Sequence, residues 1–173
     1  RLGLDGEIAT AQELNQLMLH GHYVYHDFPA EDDFNIDHVV IGPAGVFAVE
    51  TKARPKPKTK GKQSVRVSYD GESLKFPDGQ ESKFISQAID QAKWLAKFLN
   101  KSVGKPVYVA PVLALPGWMV DRLTDNENLL VINPKEAVKI IPMKKNILDE
   151  QTIQQVKYQV EQRCRTVEPY EPI

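Results

Sequence analysis

The sequence predicts a mixed α/β fold in which a mixed β-sheet carries a central antiparallel hairpin and is flanked by helices. Three observations predict it. Segments 35–41 and 45–52 are rich in β-branched residues and are joined by Gly42-Pro43-Ala44-Gly45, a turn-forming tetrad between two strand signals. Segment 81–100 carries Phe84, Ile85, Ala88, Ile89, Ala92, Leu95, Ala96 and Leu99, the continuous apolar stripe of an amphipathic helix. Segment 107–115 is almost wholly apolar and reads as a buried central strand, although Pro111 interrupts it.

The other elements follow in order. The first twenty residues read as a helix, with Ile8, Leu14, Leu17 and Met18 near helical spacing and Gly21 as the stop. Residues 22–26 read as a strand rich in Tyr and Val, followed by a polar loop containing Pro29. Residues 65–68 and 73–76 flank Asp70-Gly71 as a smaller second hairpin. Residues 128–132 read as a short strand. Asn133 then caps a short helix over 134–140, with Pro134 in its first turn. Residues 147–163 form a last amphipathic helix, and the proline-containing tail 166–173 reads as loosely ordered. The order of helix, hairpin, helix, strand and helix is that of an α/β or α+β layout.

A chain of 173 residues has the length of one domain, here placed at 1–165. Lys and Arg number 22 against 23 Asp and Glu, for a net charge of −1. That balance excludes a wholly basic nucleic-acid binder and a highly charged disordered chain. A single cysteine, Cys164, allows no internal disulfide and suits a reducing, cytoplasmic setting. No apolar run is long enough to cross a membrane. The chain begins at Arg1 rather than Met, which reads as a piece of a longer or processed chain.

The net charge hides a segregation. Residues 27–37 contain five acids and no Lys or Arg. Residues 51–68 contain seven bases and no acid: Lys52, Arg54, Lys56, Lys58, Lys60, Lys62 and Arg66. Pro55, Pro57 and Gly61 prevent a regular helix there, so the stretch reads as an exposed arm.

The residues that carry chemistry lie on the central hairpin. Asp37 is in its first strand, and Glu50-Thr51-Lys52 ends its second. Alternation along a strand points Glu50 and Lys52 to one face, and the short turn brings Asp37 towards Glu50. Two carboxylates on adjacent strands make an oxygen-rich site suited to Mg²⁺ or Mn²⁺. A lysine on the same face suits orientation of a water nucleophile and stabilisation of developing phosphorane charge. The plain alternative is an ion pair of Glu50 and Lys52 at a strand end. Glu7, after Gly6 in the first helix, reads either as a further ligand or as a favourable first-turn acid. Gln87 reads either as a group that holds the strand or a phosphate, or as the polar edge of its helix.

Gly3-Leu4-Asp5-Gly6-Glu7, the block from Asn35 to Lys52, and Gln87-Ala88 together resemble the nuclease-related domain (NERD) family. That family is similar to the PD-(D/E)xK restriction-endonuclease-like superfamily. The resemblance runs in order over about residues 1–115. It implies a restriction-endonuclease-like αβββαβ core with the hairpin at its centre, and metal-dependent cleavage of nucleic acid. By position it implies Glu7 as the helical acid, Asp37 and Glu50 as metal ligands, and Lys52 as the lysine. Gln87 is the matching polar residue, with Gln91 one turn on as the alternative. The Thr51 carbonyl is a further candidate ligand.

The expected activity is hydrolysis of DNA, with RNA open as a substrate and Mg²⁺ or Mn²⁺ as cofactor. The other reading is a binding module on the same fold, holding nucleic acid or a protein without cutting. Because the basic arm starts at the site, Arg54, Lys56, Lys58, Lys60, Lys62 and Arg66 are expected to contact phosphates. The arm contains no aromatic residue, so backbone contact rather than base stacking is expected of it. The final helix offers a surface for a homodimer. His20, His22 and His26 read as surface residues rather than a zinc site. His38 is expected to face away from Asp37. Trp94 reads as a packing residue, and Trp118 as packing or interface.

Overall fold

The segment Gly45–Thr51 is buried at every position. A run made of Val, Phe and Ala behaves this way when both faces of its sheet are covered. The computed structural model of the chain describes residues 2–31, 34–58, 61–125 and 128–165, excluding the side chains of 62 and 63. The tail 166–173 lies outside the described residues.

Helix α1 (Leu2–Asn15) runs into a 3₁₀ turn (Gln16–His20) closed by Gly21 at φ 78. Three strands follow: β1 (Tyr23–Glu31), β2 (Phe34–Gly42) and β3 (Gly45–Thr51). The basic arm leads into β4 (Arg66–Tyr69), β5 (Leu74–Phe76) and β6 (Gly79–Glu81). Helix α2 (Lys83–Val103) leads to β7 (Val109–Ala114), β8 (Met119–Arg122) and β9 (Leu130–Ile132). Helices α3 (Ala137–Met143) and α4 (Glu150–Arg165) complete the described chain.

The main sheet has the order β1-β2-β3-β7-β9. β1, β2 and β3 are antiparallel neighbours, while β7 joins β3 in parallel and β9 joins β7 in parallel. The expected mixed sheet with a central hairpin is therefore present, and Gly42 pairs with Gly45 across the two-residue loop Pro43-Ala44. A second, four-stranded sheet has the order β6-β5-β4-β8.

Alternation along β3 divides its side chains between two helical layers. Val46 and Ala48 pack with Ala92, Leu95 and Leu99 of α2 and with Ile153, Val156 and Val160 of α4. Phe47 and Val49 pack on the opposite side with Leu14, Leu17, Ala137 and Ile141. The smaller sheet closes a third cluster around Trp118, which is fully buried, meets Phe76 edge to face and donates its indole N–H to the Arg54 carbonyl. Trp118 is thus a packing residue.

Four departures from expectation have clear causes. β1 continues to Glu31, through Pro29. It is the sheet edge, where a missing N–H costs no ladder bond, and a register shift between Pro29 and Glu31 absorbs the irregularity. Helix α2 begins at Lys83, two residues after the expected start, and ends at Val103, about one turn beyond the apolar stripe, where Gly104 in the left-handed region stops it. The strands β6 and β8 are only three and four residues long, too short for a periodic signal. Pro111 fits inside β7 because the ladder to β9 begins only at Val112. The Lys52 N–H donates to Ala114 and the Leu115 N–H donates to Ile132, so alternation turns residue 111 towards that unpaired side.

Leu95 lies at the centre of the α2 face and is fully buried. Replacement by Ala leaves a cavity under the strand that carries the site, and the expected loss is about 2–5 kcal/mol. Chemical denaturation of Leu95→Ala checks this, with an unchanged midpoint contradicting the packing.

Candidate functional site

The site forms where the β2–β3 ladder ends. The last paired residues are His38 and Val49. One position further, the register sets Asp37 opposite Glu50, on the face that looks towards α2. There the Thr51 N–H donates to Asp37 Oδ2 at 2.8 Å. A carboxylate takes the place of a backbone acceptor, and the two strands separate around it.

Glu50 is 7% exposed. Its Oε1 lies 3.3 Å from Lys52 Nζ, so the two side chains share a face as strand alternation requires. Its Oε2 is buried with no hydrogen-bond partner. Burial pushes the Glu50 carboxyl above the usual range, opposed by the Lys52 charge and by hydrogen bonds from Gln91 and Lys52. Lys52 also sits 5.5 Å from the Phe84 ring centroid. Asp37 is pushed up to about 7, first by burial and then by the Glu50 charge; the Thr51 N–H opposes the shift, Glu7 adds to it and Lys52 opposes it.

Glu7 reaches the site because Gly6 brings α1 close. A Cβ at Gly6 would lie 3.2 Å from Ala53 Cβ and 3.3 Å from Pro116 Cγ, so only glycine allows this approach without displacement. The charge of Glu7 is felt by both Asp37 and Glu50. Gln87 and Gln91 lie one turn apart on α2 and line a groove of about 440 Å³ together with Glu50 and Lys52. Of the two amides, Gln91 is the one bonded to Glu50.

The hairpin's other face holds a chain of polar groups absent from the sequence reading. His38 is buried, with Nε2 3.1 Å from Thr51 Oγ1 and Nδ1 2.9 Å from His26 Nδ1. His26 Nε2 in turn lies 2.8 Å from Asn15 Oδ1. With that oxygen as acceptor, His26 carries its proton on Nε2, His38 donates through Nδ1, and the Thr51 hydroxyl donates to His38. Burial lowers His38 to about 3, with the neighbouring His26 adding to it, and burial lowers His26 as well. The chain is neutral and ties Thr51, whose N–H holds Asp37, to α1. His38 does face away from Asp37. His22 is buried beside Gly42 and bonded to the His20 carbonyl, which corrects its reading as a surface residue.

The arm divides its charges. Arg54 lies 2.9 Å from Asp78 and over the Phe76 ring at 4.2 Å. Arg66 pairs with Asp121 at 3.0 Å. Both thus fasten the arm to the smaller sheet. Lys56 lies 5.9 Å from the Trp118 ring centroid, and Lys58 is exposed. Lys60 and the side chain of Lys62 lie outside the described residues.

No group of three or more His, Cys, Asp or Glu among the described residues converges on a common metal centre. The donors nevertheless fit a hard divalent ion. Mg²⁺ keeps several waters and is commonly held by one or two carboxylates, and Asp37 with the unpartnered Glu50 oxygen supplies two. Glu7 acts on this pair through its charge.

A carboxyl raised in the folded state binds its proton more tightly there than when unfolded. The resulting stability is full below the unfolded value near 3.8 and is lost as pH rises through about 7. Asp37→Asn removes the charge but keeps an oxygen to accept the Thr51 N–H. In metal-free buffer at pH 8 the variant is expected to be more stable than the parent by about 2–4 kcal/mol, the gain shrinking towards pH 4. Thermal melts across that range check it, and a constant or inverted difference contradicts the burial.

No curated protein and no solved structure matches the chain at a significant level. The family model described as nuclease-related domain (NERD) matches residues 2–116. The matched stretch contains Glu7, the hairpin with Asp37, Glu50 and Lys52, the basic arm, and both glutamines of α2. With the mixed α/β core and this hairpin at its centre, the chain belongs to the nuclease-related domain family.

Proposed function

We propose that the domain is a divalent-metal-dependent nuclease that hydrolyses DNA phosphodiester bonds at the Asp37–Glu50–Lys52 site. The observation that supports it most is Glu50, a carboxylate buried in the central strand with one oxygen unpartnered and a lysine 3.3 Å from the other. Burying a carboxylate in this way is costly unless something compensates it. A binding module has no use for that cost, whereas a metal site does.

A bound Mg²⁺ or Mn²⁺ supplies Lewis-acid stabilisation of phosphoryl charge and a more acidic water. Asp37 and Glu50 are its carboxylate ligands in this reading, with the Thr51 carbonyl as a further donor. The Thr51 N–H fixes the Asp37 carboxylate, and Gln91 holds Glu50. Lys52 orients the attacking water and offsets charge that develops on the phosphorane. Glu7 raises the negative potential that draws the cation. Gln87 faces the same groove and positions substrate. Lys56 and Lys58, with Lys60 and Lys62 of the same arm, contact the phosphate backbone.

Glu50→Gln keeps the shape and removes the charge. It is expected to lower Mn²⁺-dependent cleavage of a DNA panel at least ~100-fold, with a circular dichroism spectrum like that of the parent. Parent protein that cuts none of single-stranded, duplex, branched and supercoiled DNA with either metal, or a variant that cuts as the parent does, sinks the reading. RNA offered in competition tests the choice of DNA. Replacing Lys56 and Lys58 by Ala is expected to flatten the plot of log affinity against log salt by about 0.9 per lost contact on duplex DNA and about 0.7 on single strands. An unchanged slope removes those two residues from the interface.

A further inference from the structure

We propose that the groove beside Glu50 receives an unpaired nucleobase on an aromatic wall, which makes single-stranded or frayed DNA the favoured substrate. The inference rests on the nuclease reading of the same site. Besides Glu50, Lys52 and the two glutamines, the groove is lined by Phe34, Asp90 and Trp94. Its volume of about 440 Å³ falls within the range of small-ligand sites.

Trp94 is held in place before any ligand arrives. Its ring stacks on Phe98 with centroids 5.7 Å apart and planes 8° apart. Phe28 meets it edge to face, and its indole N–H donates to Glu31 Oε1 at 2.6 Å. Phe34 stands nearly perpendicular to it, at 84° and 5.9 Å. A fixed aromatic corner adds stacking area without a large ordering cost.

The charges in the groove select a base over a phosphate. Among the lining residues Asp90 is exposed and Glu50 is acidic, against Lys52, which is already paired with Glu50; the Arg163 guanidinium stands 5.6 Å from the Trp94 centroid, outside the lining. Without a bound cation a phosphate meets repulsion there, whereas a neutral heterocycle does not. Gln87 and Gln91 each turn a buried side-chain oxygen, without a hydrogen-bond partner, towards this part of the fold, where it suits the N–H groups on a base edge. Bases inside a duplex are stacked on one another and cannot reach such a corner without unpairing. The basic arm has no aromatic residue, so the two tasks are divided, with phosphates on the arm and a base in the groove.

Trp118 is fully buried, so fluorescence quenching by a ligand reports Trp94. With EDTA present, a short single-stranded oligothymidylate is expected to quench the parent protein. Phe34→Leu, which keeps an apolar side chain, is expected to weaken that binding by about 5- to 150-fold and to leave affinity for a blunt duplex of the same length within a factor of about two. Followed by the anisotropy of a labelled oligothymidylate, Trp94→Tyr keeps a stacking ring and is expected to retain most single-strand affinity, while Trp94→Leu loses it; thermal melts confirm that each variant is folded. Absence of quenching, or equal losses on single strands and duplex, overturns the inference. If DNA is cut with Mn²⁺ but Phe34→Leu leaves the preference between strands unchanged, the base site falls and the nuclease reading stands. If single strands quench Trp94 with the stated variant pattern but nothing is cut, the base site stands and the nuclease reading falls.

Discussion

The hydrogen bond from the Thr51 N–H to Asp37 organises the centre of this molecule. An antiparallel ladder normally continues by pairing backbone with backbone. Here the ladder stops at His38 and Val49, and a side-chain carboxylate accepts the next amide. The substitution does two things at once. It satisfies the Thr51 amide, which is buried and must be paired, and it fixes one oxygen of Asp37 beside Glu50. The remaining features support that junction from both faces of the hairpin. Gln91 and Lys52 hold Glu50 from the α2 side, and the neutral chain from Asn15 through His26 and His38 holds the Thr51 hydroxyl from the α1 side.

Such an arrangement is electrostatically unfavourable in isolation. Two acids sit on one face of the hairpin beside Val39, Ile41, Val46 and Ala48, and both have their carboxyls raised by burial. Lys52 offsets part of this, but it touches only one oxygen of Glu50. Functional sites commonly store strain of this kind while the surrounding fold supplies the stability. The supply is visible in the layers around β3, with α2 and α4 on one side and α1 and α3 on the other, each anchored by fully buried Leu, Ile and Val side chains.

Most of the core was legible because it follows two simple periods. The hairpin alternates along short strands, and α2 repeats its apolar residues at helical spacing. The pairing of Glu50 with Lys52 needed only strand alternation. What was not legible depends on contacts between distant segments. Nothing in the local pattern at Asp27 or Pro29 says that β1 is an edge strand and therefore tolerates them. The His26–His38 contact joins two strands, and its continuation to Asn15 joins a helix. Gln87 and Gln91 share one helix face, so spacing alone could not say which amide holds Glu50. The charge run of the arm was plain in the sequence, but Asp78 and Asp121, which engage Arg54 and Arg66, lie in the smaller sheet and its turns.

The raised carboxyl of Asp37 also bears on how the site responds to a cation. Near neutral pH Asp37 carries a proton about half the time, since it titrates at about 7 beside an acidic neighbour. A divalent ion that takes up both carboxylates displaces that proton, so its affinity must rise with pH through this range. The ion also removes the repulsion that burial imposes, and a ligand bound only by the folded state stabilises it by mass action. On the proposed metal reading, stability and metal affinity are therefore linked through one residue: changes that relieve the buried acids would lower the affinity for a cation.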